Sequence, residues 1–337
     1  MRTALLAIDV GGSTTRAYLV DPQGRCLGHG RSKGGNPASN TPEFAAASLI
    51  AAVDAAVADA GGGPFDILVA QIALAGPQAH VAVGKLETAF RALGLTGPIL
   101  FAGDLLAMFA STTLATEGYC VVAGTGAGAI RIRNGEIDRV VDLAGWQLGD
   151  LGSGYWLGHE AAKAAAADME GRGPATALTQ ALLGALGITD EEGRTHGRSL
   201  QLRHFIDAVY ARRPIELAGF APLVFSHRSD PVAAQLIEEA ERYLVADFAT
   251  AYEPSMPGPV ALGGGVMPQL TGVPEKIAEV VRSAGNEPEI HFAPDGAVGA
   301  IVIAMRAAGI DVDEAIFAAV AASVRERRTS PSITPPR

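Results

Sequence analysis

The sequence predicts an α/β protein of two lobes, on three observations. The chain is longer than one small core requires, apolar strands alternate with helical stretches, and one strand-loop-strand plan occurs twice. With 337 residues, two domains or one large α/β unit follow from ordinary domain sizes. Hydrophobic residues make up 48% and charged ones 18%, with 41 glycines, which is the composition of an ordered globular protein.

The first copy of the plan reads ALLAIDV, RAYLVDPQG and CLGHGRS, three strands joined at Gly11–Gly12 and Pro22–Gly24. From Thr41 to Ala60 the chain is alanine-rich with apolar residues at helical spacing, and Thr-Pro-Glu supplies a capped start. ILVAQIALAG then reads as a strand and Val83 to Leu93 as a helix. PILFAGD reads as a short buried strand with Asp104 at its carboxyl end. The second copy begins near Thr116–Gly118 with YCVVAGTGAG, AIRIRNGEI and DRVVDLAG, and Asn134–Gly135 makes its hairpin turn. This repeat is the strongest architectural clue. Helices are expected at Tyr155–Met169, Thr176–Gly184, Leu200–Ala211, Pro231–Tyr252, Asp295–Ala308 and Glu314–Arg325, with GPVALGGGV a further strand running into glycines.

The formal net charge of −10 comes without a long basic run, which argues against a nucleic-acid groove, because phosphate-backbone binding needs clustered Lys and Arg. No leader pattern and no apolar run of bilayer length is present, so no membrane partner is expected and the protein reads as cytoplasmic. Cys26 and Cys120 are the two cysteines; so few and so far apart, they suggest neither a disulfide framework nor a cysteine-rich metal site.

In Asp9-Val10-Gly11-Gly12-Ser13-Thr14-Thr15, the glycines let backbone N–H groups turn toward an anion and the hydroxyls can donate to phosphate oxygens. Asp9 can orient a hydrated magnesium ion. An ordinary glycine hairpin would use the same residues. Gly124-Thr125-Gly126 offers this chemistry again, and Gly124-x-Gly126-x-x-Ala129 also fits the dinucleotide fingerprint. That fingerprint must open a helix, whereas AIRIRNGEI alternates apolar and polar residues and predicts a strand. Gly263-Gly264-Gly265 is either a close backbone approach beside a nucleoside or a plain strand-to-helix turn.

Asp104 stands where α/β sheets place ligand sites. It can accept the proton of a hydroxyl attacking a γ-phosphate, or it can cap the following helix. The stretch from Gly145 to Trp156 combines glycines, two indoles and Asp150, suited either to a polar ligand or to packing. Asn36 contacts substrate or makes an Asx-turn before Pro37. His159-Glu160 resembles the start of a zinc-protease helix, but Lys163 stands where the second histidine belongs. His227, Arg228 and Asp230 read as a solvated loop, and no GxSxG elbow appears.

Taken in order, DVGGSTT, FAGD, VVAGTGAG, GW-x-LGD-x-GSGYW and ALGGGV resemble the N-acetylglucosamine kinase family, within the BadF/BadG/BcrA/BcrD-type ATPases and the sugar kinase, actin and Hsp70 superfold. The resemblance implies an α/β, two-domain actin-like ATPase fold with duplicated ribonuclease-H-like domains. The expected division is residues 1–115, rejoined by a C-terminal helix within 295–325, residues 116–294, and a disordered tail over 327–337. It implies ATP and Mg2+ as cofactors and phosphoryl transfer to the 6-hydroxyl of an amino sugar. N-acetylglucosamine is the first expectation, with glucosamine or another hexose as alternatives, and a homodimer is expected.

Carried over by position, Asp104 falls on the catalytic base, and Asn36, Gly76, Gly145, Trp146 and Asp150 join it in binding the sugar. Gly11, Gly12, Ser13, Thr14, Gly124, Thr125, Gly126, Gly263, Gly264, Gly265 and Val266 fall to ATP, and Asp9 to magnesium through water. Leu151 departs from the family's Glu, and Ala127 and Gly128 replace polar residues that touch substrate in animal enzymes. A second class, ATPase activators of CoA-ester reductases or dehydratases, shares these loops but holds an iron–sulfur cluster through cysteines in a glycine-containing motif, and neither Cys26 nor Cys120 sits in one.

Overall fold

A computed structural model describes residues 1–11, 14–36, 40–74, 82–189 and 193–329. The chain divides into two compact units, one of Met1–Thr116, Arg133–Glu136 and His291–Arg337, the other of Glu117–Ile132 and Ile137–Ile290. The first contains β1 (Arg2–Val10), β2 (Thr14–Val20), β3 (Cys26–Lys33), α1 (Pro42–Asp59), β4 (Phe65–Leu74), α2 (Val83–Ala92), β5 (Ile99–Gly103) and α3 (Asp104–Ala110). There follow β6 (Gly118–Ala123), β7 (Ala127–Arg133), β8 (Glu136–Asp142), α4 (Gly154–Glu170), α5 (Ala177–Leu186), the short β9 (Arg194–Thr195) and β10 (Arg198–Ser199), and α6 (Leu200–Tyr210). Next come α7 (Ala221–Ser226), α8 (Pro231–Ala251), β11 (Val260–Gly263), α9 (Val273–Ser283) and β12 (Ile290–Ala293); α10 (Ala297–Ala307) and α11 (Glu314–Thr329) return to the first unit.

The repeat seen in the sequence is a repeat of topology. One sheet runs β3-β2-β1-β4-β5 and the other, read in the same sense, β8-β7-β6-β11-β12. In each, the leading strand pairs antiparallel with the next one (β1 with β2, β6 with β7) and parallel with a later one (β4 and β11). The turn between β7 and β8 has Asn134 at φ 53° and Gly135 at φ 77°, the left-handed pair that lets a two-residue hairpin match strand twist.

β1 is buried from Ala4 to Val10 because both of its faces are covered. Its alternation sends Ala4, Leu6, Ile8 and Val10 into a core with α1 and α2, and Leu5 and Ala7 into one with α10 and α11. Asp9 follows the second set. Helix α1 begins where Thr41 accepts the Phe44 N–H and Pro42 fills the first turn. It lies so close to β3 that a Cβ on Gly28 would stand 2.1 Å from the Ala56 carbonyl oxygen, and one on Gly30 2.0 Å from that of Ala52.

Two expectations need correction. The strand at PILFAGD is only half-buried, because β5 is the outer strand of its sheet. The tail expected to be unstructured from Arg327 is helical through Thr329: Arg327 pairs with Asp59 at 3.0 Å and Arg328 with Asp295 at 2.5 Å, which holds the end of α11 in place. No described helix is long and apolar enough to cross a membrane.

Candidate active site

In the first unit the candidate residues converge at the carboxyl ends of β1 and β5. Asp9 ends β1 on the face that α10 covers, and α3 begins at Asp104 directly after β5. The turn before α10 fits between them: a Cβ on Gly296 would lie 3.2 Å from Asp9 Oδ1 and 3.6 Å from the Asp104 carbonyl oxygen. Burial is the main cause that pushes the Asp9 carboxyl up to about 6; the Asp295 and Asp104 charges add to it, while Arg16, 3.3 Å from Asp9 Oδ2, works against it. Burial also raises Asp104, whose Oδ1 accepts the Leu105 N–H at 3.0 Å. Asp104 is thus the first helical residue and not the cap, a position held by Gly103 without a side-chain bond.

Gly11 donates its N–H to the Thr14 carbonyl at 2.9 Å, closing the turn of the first phosphate-loop candidate. Gly12, Ser13 and Gly76 lie outside the described residues. Thr15 is buried, and its hydroxyl accepts the Gly35 N–H at 2.9 Å, which ties the end of the loop to the segment that carries Asn36. The Asn36 carbonyl accepts from Asn40 Nδ2 at 3.0 Å.

In the second unit Gly124, Thr125 and Gly126 join β6 to β7, so a strand follows and the dinucleotide fingerprint does not apply. The Gly124 carbonyl accepts the Gly154 N–H at 2.7 Å, from the start of α4. The Ala123 carbonyl accepts the Val266 N–H at 2.8 Å. Gly264 has φ 96°, and a Cβ there would stand 2.4 Å from the Ala123 carbonyl oxygen, so the Gly263 to Val266 turn is laid against the Gly124 loop. Thr125 is exposed, leaving its hydroxyl available.

Asp150, buried and at φ 58°, accepts the Ala127 N–H at 3.2 Å. Burial raises its carboxyl, with the Asp142 charge adding to this. A Cβ on Gly126 would meet Asp150 Oδ1 at 2.9 Å, so carboxylate and loop are in contact. Gly145, at φ 81°, turns the chain, and its carbonyl accepts from Leu148 and Gly149. The two indoles differ: Trp156 packs on the core against Tyr243, whereas Trp146 is 36% exposed with its ring 5.5 Å from that of Tyr155. Gly128 has φ 151°, and a Cβ there would lie 2.6 Å from the Val141 carbonyl oxygen, which is why no side chain stands there to reach a substrate.

Sequence reasoning missed three residues: Arg16, Asp295 and Asp142. Asp142 accepts backbone N–H groups from Asp150 and Leu151, and its only signal was a carboxylate ending a strand before a glycine-rich loop. The expected solvated loop at His227 is instead a staple: Asp230 caps α8 and accepts from the Thr176 hydroxyl at 2.9 Å and the Ala177 N–H at 2.8 Å. His159 and Glu160 form a surface pair with Lys163. No group of three or more His, Cys, Asp or Glu able to hold a metal directly occurs among the described residues. Asp9 nonetheless fits a hydrated cation: it stands near the carboxyl end of β1 against Gly296, and a carboxyl raised by burial first and by the Asp295 and Asp104 charges next gains from a positive partner.

A family model described as the BadF/BadG/BcrA/BcrD ATPase family matches residues 6–304. The chain belongs to this family. This BadF/BadG/BcrA/BcrD-type ATPase is 25% identical over 256 residues to the glucosamine kinase GspK of Vibrio cholerae, covering 72% of this chain and 79% of that one. It is 27% identical over 232 residues to an N-acetylmuramic acid/N-acetylglucosamine kinase of Clostridium acetobutylicum, covering 65% and 71%. A solved structure from Chromobacterium violaceum, named provisionally as an N-acetylglucosamine kinase, superposes with a TM-score of 0.72 at 24% identity, covering 90% of this chain and 99% of that one. A ROK family glucokinase from Streptomyces griseus, in complex with glucose and AMPPNP, superposes at 0.52 and 20% identity, covering 90% and 99%. The fold is the two-domain actin-like ATPase fold with duplicated ribonuclease-H-like domains that the motifs implied.

Proposed function

We propose that this chain is an ATP-dependent sugar kinase that phosphorylates the 6-hydroxyl of an amino sugar, N-acetylglucosamine before glucosamine. The observation that carries the reading is Asp104, a desolvated carboxylate at the carboxyl end of the sheet whose charge acts on Asp9, with Gly296 laid against both. The names of the two curated relatives, both amino-sugar kinases, support the substrate class.

In this reading Asp104 orients the attacking hydroxyl and takes up its proton. The turn at Gly11 and the loop at Gly124–Gly126 offer backbone N–H groups to ATP phosphates, and the Gly263 to Val266 turn lies against the nucleoside. Asp9 would hold magnesium through water, and that ion when bound would supply positive charge against the phosphoryl group. Asp150 and the exposed face of Trp146 bind the sugar, the carboxylate through its hydroxyls and the indole through its apolar face. The activator reading is disfavoured because both free cysteines are buried, Cys120 inside β6, whereas a cluster shared between subunits needs accessible thiolates.

The test is ADP release with ATP and a panel of amino sugars and hexoses. Stimulation by at least one amino sugar is expected. Should no sugar raise ATP consumption above the water background, the kinase reading fails.

A further inference from the structure

One cavity in the first unit is absorbed by none of these roles. Its volume is about 300 Å³, and it is lined by Arg16 of β2, His29 and Arg31 of β3, Asp295 before α10, and Arg327 and Arg328 of α11. Four arginines therefore line one space in a chain whose formal net charge is −10. Like charges gathered in this way repel one another unless anions compensate them.

The compensation supplied by the chain is incomplete. Arg16 pairs with Asp9 at 3.3 Å, Arg327 with Asp59 at 3.0 Å and Arg328 with Asp295 at 2.5 Å. Arg31 is exposed and has no carboxylate partner among the described residues. Arg327 is further fixed by the carbonyls of Cys26 and Leu27, so its fork is held in place before any ligand arrives. Beside these groups, the Nε2 atom of His29 is buried without a hydrogen-bond partner among the described residues, and its ring stacks on Tyr18 at 4.7 Å. The surroundings hold that imidazole neutral near pH 7: burial first, and the Arg31 charge next, lower it to about 4. A neutral ring can still donate one hydrogen bond to an anion.

Guanidinium forks match the oxygens of phosphate and of carboxylate in charge and spacing, and several arginines around one space suit an anion with more than two oxygens, such as phosphate. The volume is at the lower end of small-ligand sites, enough for inorganic phosphate or a small phosphate ester. None of Gly11, Thr14, Gly124–Gly126 or Gly263–Val266 lines it.

We propose that this cavity is a binding site for a small phosphorylated anion, separate from the positions assigned to ATP and sugar, with Arg31 as its unpaired ligand. Because Arg16 both lines the cavity and pairs with Asp9, an occupant draws Arg16 away from that carboxylate. The site is thereby coupled to the candidate active site.

Isothermal titration of the full chain with inorganic phosphate, and separately with glucosamine 6-phosphate, tests the proposal. Binding is expected at millimolar concentration or tighter, and Arg31→Glu should weaken it by about tenfold or more, the value of one lost charged hydrogen bond. Arg31→Lys should lose less. Equal binding of both ligands, weakened alike by Arg31→Glu, identifies the phosphate group itself as what is recognised. Binding of the ester alone supports the site only where Arg31→Glu weakens it, since the proposed active site also takes a sugar 6-phosphate, and ester binding unchanged by Arg31→Glu counts against the cavity. No binding of either ligand by the wild type up to about 10 mM, or equal binding by Arg31→Glu with an unaltered melting curve, overturns it. A parallel ADP titration keeps the readings apart, since loss of ADP binding would count against the kinase and not against this cavity.

Discussion

The carboxylate of Asp142 accepts the backbone N–H of Asp150 at 2.7 Å and that of Leu151 at 3.0 Å, so one side chain at the end of β8 sets the path of the loop carrying Trp146. A Cβ on Gly149 would lie 1.9 Å from the same carboxylate, which shows how tightly the loop is wound on it. Asp142→Ala strands these N–H groups. In the proposed kinase it should raise the sugar KM by about tenfold or more, with a smaller effect on the ATP KM. Initial-rate kinetics with each substrate varied would decide it, and equal changes in both constants would refute a positioning role confined to the sugar loop.

Asp104→Asn keeps the shape of the side chain and removes its basicity. Loss of roughly 10²- to 10⁴-fold in kcat is expected, the usual contribution of a positioned base, with ATP affinity retained. Full turnover would leave the fold standing and remove Asp104 from the chemistry.

Asp9 gives a pH dependence whose sign is fixed. Its carboxyl is raised from 3.8 to about 6 in the folded chain, so folding favours the protonated form. The stability it contributes is complete below about pH 4 and is lost as pH rises through 6. Asp9→Asn should therefore melt above the wild type at pH 8, by up to about 3 kcal/mol in the absence of ligands, and close to it at pH 4. Magnesium with ATP should narrow the difference at pH 8, since a cation stabilises the ionised form.

A similar argument holds for Asp247 in α8, whose Oδ2 is buried without a hydrogen-bond partner among the described residues. Burial and the Asp142 charge push it up to about 7. Asp247→Asn is expected to raise the melting temperature by roughly 2–4 °C at pH 8 and to change little at pH 4, measured by calorimetry. A loss of stability at pH 8 would show that the ionised carboxylate has a partner of value.

Gly264→Ala places a methyl group at φ 96°, 2.4 Å from the Ala123 carbonyl oxygen. Strain on the order of 1–3 kcal/mol should displace the turn from the Gly124 loop and weaken ATP binding. Gly265→Ala, where a Cβ meets nothing within 4 Å, is the control; equal effects of the two would show that the packing of this turn is immaterial.

Much of the fold was legible because its signals are local. The alternation in AIRIRNGEI, the Asn134–Gly135 turn and the Thr-Pro-Glu opening of α1 each act within a few residues, and each stands where the sequence places it. Helix α9 was not assigned from the sequence although Val273, Ile277, Ala278 and Val281 bury one face at helical spacing, with Pro274 in its first turn. β12 is four residues long and only partly buried, too short for alternation to register. In the site, the glycine loops and Asp104 could be read because strand ends and glycines mark such positions. Arg16, Asp142 and Asp295 could not, since their partners are set by cross-strand register, by chain returning 286 residues later (Asp9 to Asp295) or by a neighbouring loop. Gly28 and Gly30 read as strand glycines, and only the approach of α1 gives their reason.

The first unit is built from stretches far apart in sequence: the Cys26 N–H donates to the Ser323 hydroxyl at 2.6 Å, and Arg327 pairs with Asp59. On the ribosome this imposes an order of events. Leu5, Ala7, Tyr18 and Val20 emerge before the second unit, and the α10 and α11 residues that cover them are synthesised only after it. The nascent sheet must wait, with one apolar face bare, until the whole second unit has been synthesised. A premature stop near Ile290 would thus release a chain with its middle folded and its beginning exposed, the sort of product that chaperones and proteases clear.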